Sequence, residues 1–253
     1  RNARKAVPEM LSLIARAREE GLDVMCDAYP YTAGSTQLIH VLPPEFQAGG
    51  TETLTKRLRD RAAREEMRAR METGSDFENI TLLVGFENVI AIGLRTDEYR
   101  RFEGKSIAEI ALALGKDPYD ALFDLLAAEK CEAGMIDYIS DEEDLKAILR
   151  APFSGVISDA TYPGAGQVHP RVYGAFARLI ETYVVREKVL TLEQAVHKVT
   201  LQAAERFSLA GKGKIEAGAD ADLLLFAPEK IRERGTYLTP KAVSYTHLRA
   251  HET

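Results

Sequence analysis

The sequence predicts an α/β fold with a parallel sheet, and three observations carry that prediction. An amphipathic helix over 5–20 stops at Gly21 and runs into a mostly apolar strand, "LDVMCDAYPY", which is one αβ step of an alternating fold. A second strand of the same buried kind, "FSGVISD", returns at 153–159. Between the two lies a long excursion, 31–150, so both strands are expected in one sheet whose connection carries an insertion.

Each element has a local reason. In the first helix Val7, Met10, Leu11, Ile14 and Ala17 form one apolar stripe, and Pro30 ends the strand that follows. Residues 31–50 show no period, and Thr51–Met71 read as one long charged helix. Its basic residues from Lys56 to Arg70 alternate with Asp60, Glu65 and Glu66, the pattern of a solvated helix face. "ITLLV" at 80–84 and "NVIAIGL" at 88–94 read as short β-like runs. Ser106 with Glu109 makes a capping box for a helix to Leu114. Asp117 with Pro118 opens the next helix, to about Lys130. "GMIDYI" then reads as a strand and Asp141–Leu149 as a short helix. Beyond the second buried strand come helices over 171–187 and 191–208, the latter opened by Thr191 and Gln194 at capping-box spacing. "GKGKIEAGADADLLLFAP" switches to short strands with Gly-Ala-Asp turns.

Composition narrows the class. The 253 residues are 45% hydrophobic and 28% charged, which places the chain among globular proteins. A net charge of −6 argues against a nucleic-acid partner, because phosphate contacts need clustered Lys and Arg. Two cysteines make no disulfide framework, so a cytoplasmic location is expected. No apolar run approaches the roughly 20 residues of a spanning helix, so no membrane partner is expected. The opening "RNARKAVPEM" lacks a Met and no signal peptide is visible; the true N-terminus is expected upstream. "VSYTHLRAHET", 243–253, resembles the translated end of a transposase sequencing adaptor and is expected to add nothing to packing. Setting aside His247 and His251 in that tail leaves His40, His169 and His197.

Single motifs are modest: the chain has no P-loop, GxGxxG, GxSxG or HExxH. Asp159 ends a buried strand, the place from which α/β barrels project catalytic groups, but a turn aspartate sits there equally well. Cys26 on an apolar strand reads as a small core residue, and His197, in a helix beside Val196 and Val199, as a structural or surface one.

The combination is more specific. "DAYPYTAGSTQLIHVLPP", "ISDATYPGAGQVHPRVYGAF", "LTLEQAVHKVTLQAAERFSLAGKGKIEAGADADLLLFAP" and "TYLTP" occur in this order. Together they resemble the C-terminal half of the N-acyl-D-amino-acid deacylases, the D-aminoacylase branch of the amidohydrolase superfamily, over residues 1 to about 242. The resemblance implies the C-terminal part of a (β/α)8 barrel. Residues 1–30 would be a barrel helix and the seventh strand. Residues 31–150 would be an inserted, substrate-covering subdomain, and 151–210 the eighth strand, its loop and the C-terminal helices. Part of a small β-sandwich would follow at 211–242.

It also implies a zinc-dependent hydrolase cleaving N-acyl-D-amino acids to a carboxylate and a free D-amino acid. Asp159 matches the family's general base and acid, and a contact of a second, weaker metal. Tyr29, Ser35 and Arg171 match its substrate-binding residues, with the serine and arginine on the free carboxylate. The family's zinc ligands (a His-x-His, a cysteine or modified lysine, two later histidines) would all precede Arg1. The partner of this piece would then be the N-terminal half of the same protein, and the chain alone would be inactive. Many family members have Gly after the aspartate; Ala160 here would be strained if that backbone is left-handed. Two rivals stand beside this reading: a dihydropyrimidinase-like cyclic-amide or acyl-urea hydrolase, and a non-catalytic amidohydrolase-fold scaffold.

Overall fold

The computed structural model describes residues 3–161, 166–241 and 249–251. In chain order the helices are α1 (Ala3–Glu19), α2 (Pro44–Gln47), α3 (Gly50–Arg57), α4 (Arg61–Thr73), α5 (Ile80–Val84), α6 (Ile107–Leu114), α7 (Pro118–Ala128), α8 (Glu142–Arg150), α9 (Arg171–Arg178), α10 (Leu192–Val199) and α11 (Leu201–Arg206). The strands are β1 (Cys26–Ala28), β2 (Gly34–Gln37), β3 (Val89–Ile92), β4 (Gly134–Asp137), β5 (Ser154–Val156), β6 (Leu223–Leu225) and β7 (Arg249–His251). They fall into two compact units. One comprises 33–139 with 161–169, and the other 2–32, 140–160 and 170–253.

The second of these holds the two strands of the expected parallel pair. β1 and β5 pair in parallel, with Cys26 opposite Ser154 and Ala28 opposite Val156. Parallel strands put both carboxyl ends at one side, so Tyr29 and Asp159 leave the sheet together. The core beneath is Leu145 and Leu149 of α8, Val156, Leu179, Ile180, Tyr183 and Ala195 of α10. Helix α9 continues as π-helical turns through Leu179–Arg186. Lys198 of α10 is buried at the other end of β5. Its ammonium donates to the carbonyls of Ala151 (2.6 Å) and Ser154 (2.8 Å) and to Ser154 Oγ (3.0 Å). Burial pulls its pKa below the usual lysine value. The Thr191–Gln194 capping box forms, but the helix it opens stops at Thr200, whose φ of −126° and ψ of −91° separate α10 from α11. β7 pairs antiparallel with β6, Leu223 opposite His251. Backbone pairing reads no side chain, so part of the tail expected to be idle takes a strand. Tyr245, Leu248 and the rest of 242–248 lie outside the described residues.

The other unit is built on an antiparallel sheet in the order β2-β4-β3, packed with Leu38, Leu54, Met67, Met71, Ile107, Leu122, Phe123 and Met135. Both predicted caps form: Ser106 with Glu109 as a full capping box, and Asp117, which accepts from Tyr119 N. Three elements differ from the sequence expectation. The helix expected over 51–71 breaks at Asp60, which caps α4 by accepting from Ala63 N at 2.8 Å. "ITLLV" is helix rather than strand, because Asn79 caps it and anchors its own amide on the carbonyls of Met71 (2.7 Å) and Gly74 (3.1 Å). A five-residue apolar run has too few repeats for its period to choose. "GSTQ", within the stretch expected to be irregular, is strand β2 because β4 offers it a partner edge. Among the described residues no helix is long and apolar enough to cross a membrane.

Candidate active site

The site grows from the carboxyl ends of β1 and β5. Ile157 N donates to Ala28 O at 3.0 Å, continuing the ladder one residue past the strands. The chain then turns at Asp159, whose φ is +47°. Aspartate visits this left-handed region more readily than most side chains, so the turn costs on the order of 1 kcal/mol. Ala160 is not among the left-handed residues, so the strain expected there falls on the aspartate before it.

Arg171 opens α9, directly after Pro170. Its guanidinium sits 2.8 Å from Asp159 Oδ2 and 4.5 Å from the centre of the Tyr29 ring. The two charges differ in exposure: the Arg171 side chain is 2% exposed, that of Asp159 49%. A buried cation needs a fixed counter-charge, and an aromatic face adds to the attraction; Arg171 has both. The carboxylate is held from one side and open to solvent on the other. Asp159 and Arg171, from one stretch of sequence, and Tyr29, from another, are therefore brought together. Ser35 lies in β2 of the other unit, half-buried, where its hydroxyl donates to Met135 O at 2.9 Å.

The segment between Asp159 and Arg171 has its own anchors within that unit. Glu103 accepts from the backbone N–H groups of Gly93 (2.8 Å), Leu94 (2.8 Å) and Gln167 (2.7 Å). The His169 ring, 2% exposed, lies with Nε2 3.0 Å from Ala33 O.

Residues 91–246, more than half of the chain, match the Amidohydrolase family. The chain belongs to the amidohydrolase family. Within it, the chain is 31% identical over 234 residues to the N-acyl-D-glutamate deacylase of Alcaligenes xylosoxydans xylosoxydans, covering 92% of this chain and 38% of that protein. It is 31% identical to the D-aminoacylase of the same organism, with the same coverage. Among solved structures it is similar to N-acyl-D-glutamate deacylase from Bordetella bronchiseptica, complexed with zinc and a phosphonate inhibitor: TM-score 0.72, 27% identity, 98% of this chain and 42% of that one. The chain thus spans about two fifths of the length of the relatives it matches.

For this amidohydrolase the fit of zinc is a question of donors. Among the described residues no three His, Cys, Asp or Glu side chains gather to hold a metal. Burial pushes both thiols up, which disfavours the thiolate a metal needs. Cys131 is engaged besides, its Sγ 3.5 Å from Thr55 Oγ1. His40 and His197 are exposed and His169 is hydrogen-bonded. The residues described do not make a zinc site.

Proposed function

We propose that the full-length protein is an N-acyl-D-amino-acid deacylase, a hydrolase that splits the amide to a carboxylate and a free D-amino acid. The observation that carries the proposal is the half-open Asp159 carboxylate, held by a buried Arg171 at the carboxyl ends of a parallel strand pair. Resemblance to deacylases gives that geometry its chemistry. Asp159 accepts a proton from the attacking water and returns it to the leaving amine. Arg171 grips the free carboxylate of the acyl-amino acid, and Tyr29 backs the guanidinium; Ser35 is proposed as a substrate-binding residue by its resemblance to the family's serine. Because Arg171 already holds Asp159, the substrate carboxylate shares one guanidinium with the proton carrier, which fixes the scissile amide relative to it. The Bordetella relative is complexed with zinc; for this protein the zinc ligands are proposed to belong to an N-terminal half that precedes Arg1. Residues 31–150 are proposed as an insertion between the barrel strands, and 211–242 as part of a β-sandwich. A cytoplasmic setting is supported by two free thiols.

The test is product release by the full-length protein from N-acyl-D-glutamate, N-acyl-D-aspartate, a neutral N-acyl-D-amino acid and their L-enantiomers. Free D-amino acid from at least one, without the L-product, is expected. Turnover of cyclic amides alone would replace the proposal with the dihydropyrimidinase-like rival.

A further inference from the structure

Helix α9 is joined to the Tyr29–Tyr31 segment twice. Arg171 lies over Tyr29 at 4.5 Å, and Arg178 lies over Tyr31 at 4.9 Å. Seven residues are two helical turns, so both arginines leave the same face of the helix. The second junction has the buried carboxylate. Its carboxylate is Glu233, from a segment 202 residues beyond Tyr31, with a side chain only 8% exposed.

Glu233 is saturated with bonds. Tyr31 Oη donates to one carboxylate oxygen at 2.5 Å, and Arg178 donates to the other at 3.0 Å. Arg178 Nε also donates to Pro30 O at 2.6 Å, and the Glu233 N–H donates to Glu181 at 2.6 Å. Burial, and then the Glu233 acceptor, hold the Tyr31 hydroxyl well above the usual tyrosine pKa, so it stays a donor. Gly174, midway along α9, allows the approach: a Cβ there would meet Tyr31 Oη at 2.8 Å and Glu233 at 3.1 Å. Glycine inside a helix is unfavourable by itself, so its place against this cluster points to a packing need.

We infer that Glu233 is a positioning residue: it sets the spacing between α9 and the 29–31 segment, and so seats Arg171 on Tyr29 and against Asp159. The kinetic consequence rests on the proposed role of Arg171 in gripping the substrate carboxylate. Small displacements of a positioning group are felt at the reacting centre by as much as about 100-fold.

The experiment uses the full-length protein with Glu233→Gln and Tyr31→Phe, the latter keeping the ring under Arg178 while removing the hydroxyl. Two readouts are taken. The first is KM for an N-acyl-D-amino acid and for its carboxamide analogue, with Arg171→Lys as the reference. The second is modification of Arg171 by phenylglyoxal, read by mass spectrometry, which needs no substrate. Both variants should speed Arg171 modification and raise KM for the carboxylate substrate about 10-fold, leaving the carboxamide within about 2-fold. Faster modification without the KM split, with Arg171→Lys showing none either, would support the positioning role and overturn the substrate role of Arg171. Modification and KM unchanged in both variants would overturn the inference. A loss of kcat equal for the two substrates, with Arg171 still protected, would overturn it as well. If Glu233→Gln does not fold, Tyr31→Phe decides alone.

Discussion

Arg171 and Asp159 form an ion pair of 2.8 Å in which the cation is sealed and the anion is half open. The pair makes a single unit of two residues that the sequence offers twelve positions apart in different roles. Asp159 cannot turn freely, because one oxygen is claimed by a guanidinium that is itself wedged against Tyr29. In the proposed mechanism the other oxygen is the one left to exchange a proton.

Replacing Asp159 by Asn tests that assignment in the full-length enzyme. Asn keeps the shape and one oxygen for Arg171 but cannot take a proton from water. kcat should fall by roughly 10²–10⁴-fold, the usual worth of general acid–base catalysis, while KM moves little. Near-normal turnover would leave Asp159 as a turn residue that merely neutralises Arg171.

Ala160→Gly separates the two backbone accounts. If Ala160 were the strained position, glycine would stabilise the protein. Since the left-handed residue is Asp159, glycine at 160 only adds freedom to the unfolded chain and should destabilise by about 0.4–1 kcal/mol. Denaturant midpoints of the two proteins, with unchanged slopes, give the answer.

Asp124 predicts a pH dependence of stability. Burial raises its pKa, but Lys116 at 2.6 Å and Arg64 at 2.5 Å outweigh burial, and the net shift is downward from 3.8. A carboxylate depressed on folding stabilises fully above its unfolded pKa and loses that contribution as pH falls through the lower folded value. Asp124→Asn should therefore lower stability at pH 7 by about 1 kcal/mol, the scale of a partly screened pair. The gap to the unmutated protein should close below about pH 4. A gap that persists at pH 2 would mean the side chain acts through packing.

Zinc content is the last test. The chain 1–253 should bind zinc weakly and below one equivalent, because its described His, Cys, Asp and Glu residues do not converge. Equilibrium dialysis with metal analysis measures this, alongside an assay for D-amino acid release, which should be negative. One tightly held equivalent would show a ligand set outside the described geometry.

Short-range chemistry is legible in the sequence itself. The capping boxes at Ser106–Glu109 and Thr191–Gln194 and the cap at Asp117 act over two or three residues, and all three form as read. The buried strands β1 and β5 were visible in their apolar runs. So was the candidacy of Tyr29, Ser35, Asp159 and Arg171, through motifs that resemble a family.

Tertiary structure decided what depends on a distant partner. "GSTQ" is a strand because β4, about a hundred residues later, pairs with it. "ITLLV" is a helix because Asn79 finds the carbonyls of Met71 and Gly74. Arg178 could have been suspected from its two-turn spacing to Arg171, but Glu233 sits in a charged run, "KIRERG", that reads as surface. Its burial against Tyr31 and Arg178 exists only once the chain has closed a loop of two hundred residues. A hydrogen bond or ion pair is worth little until desolvation and fixed geometry make it so, and the fold alone supplies both.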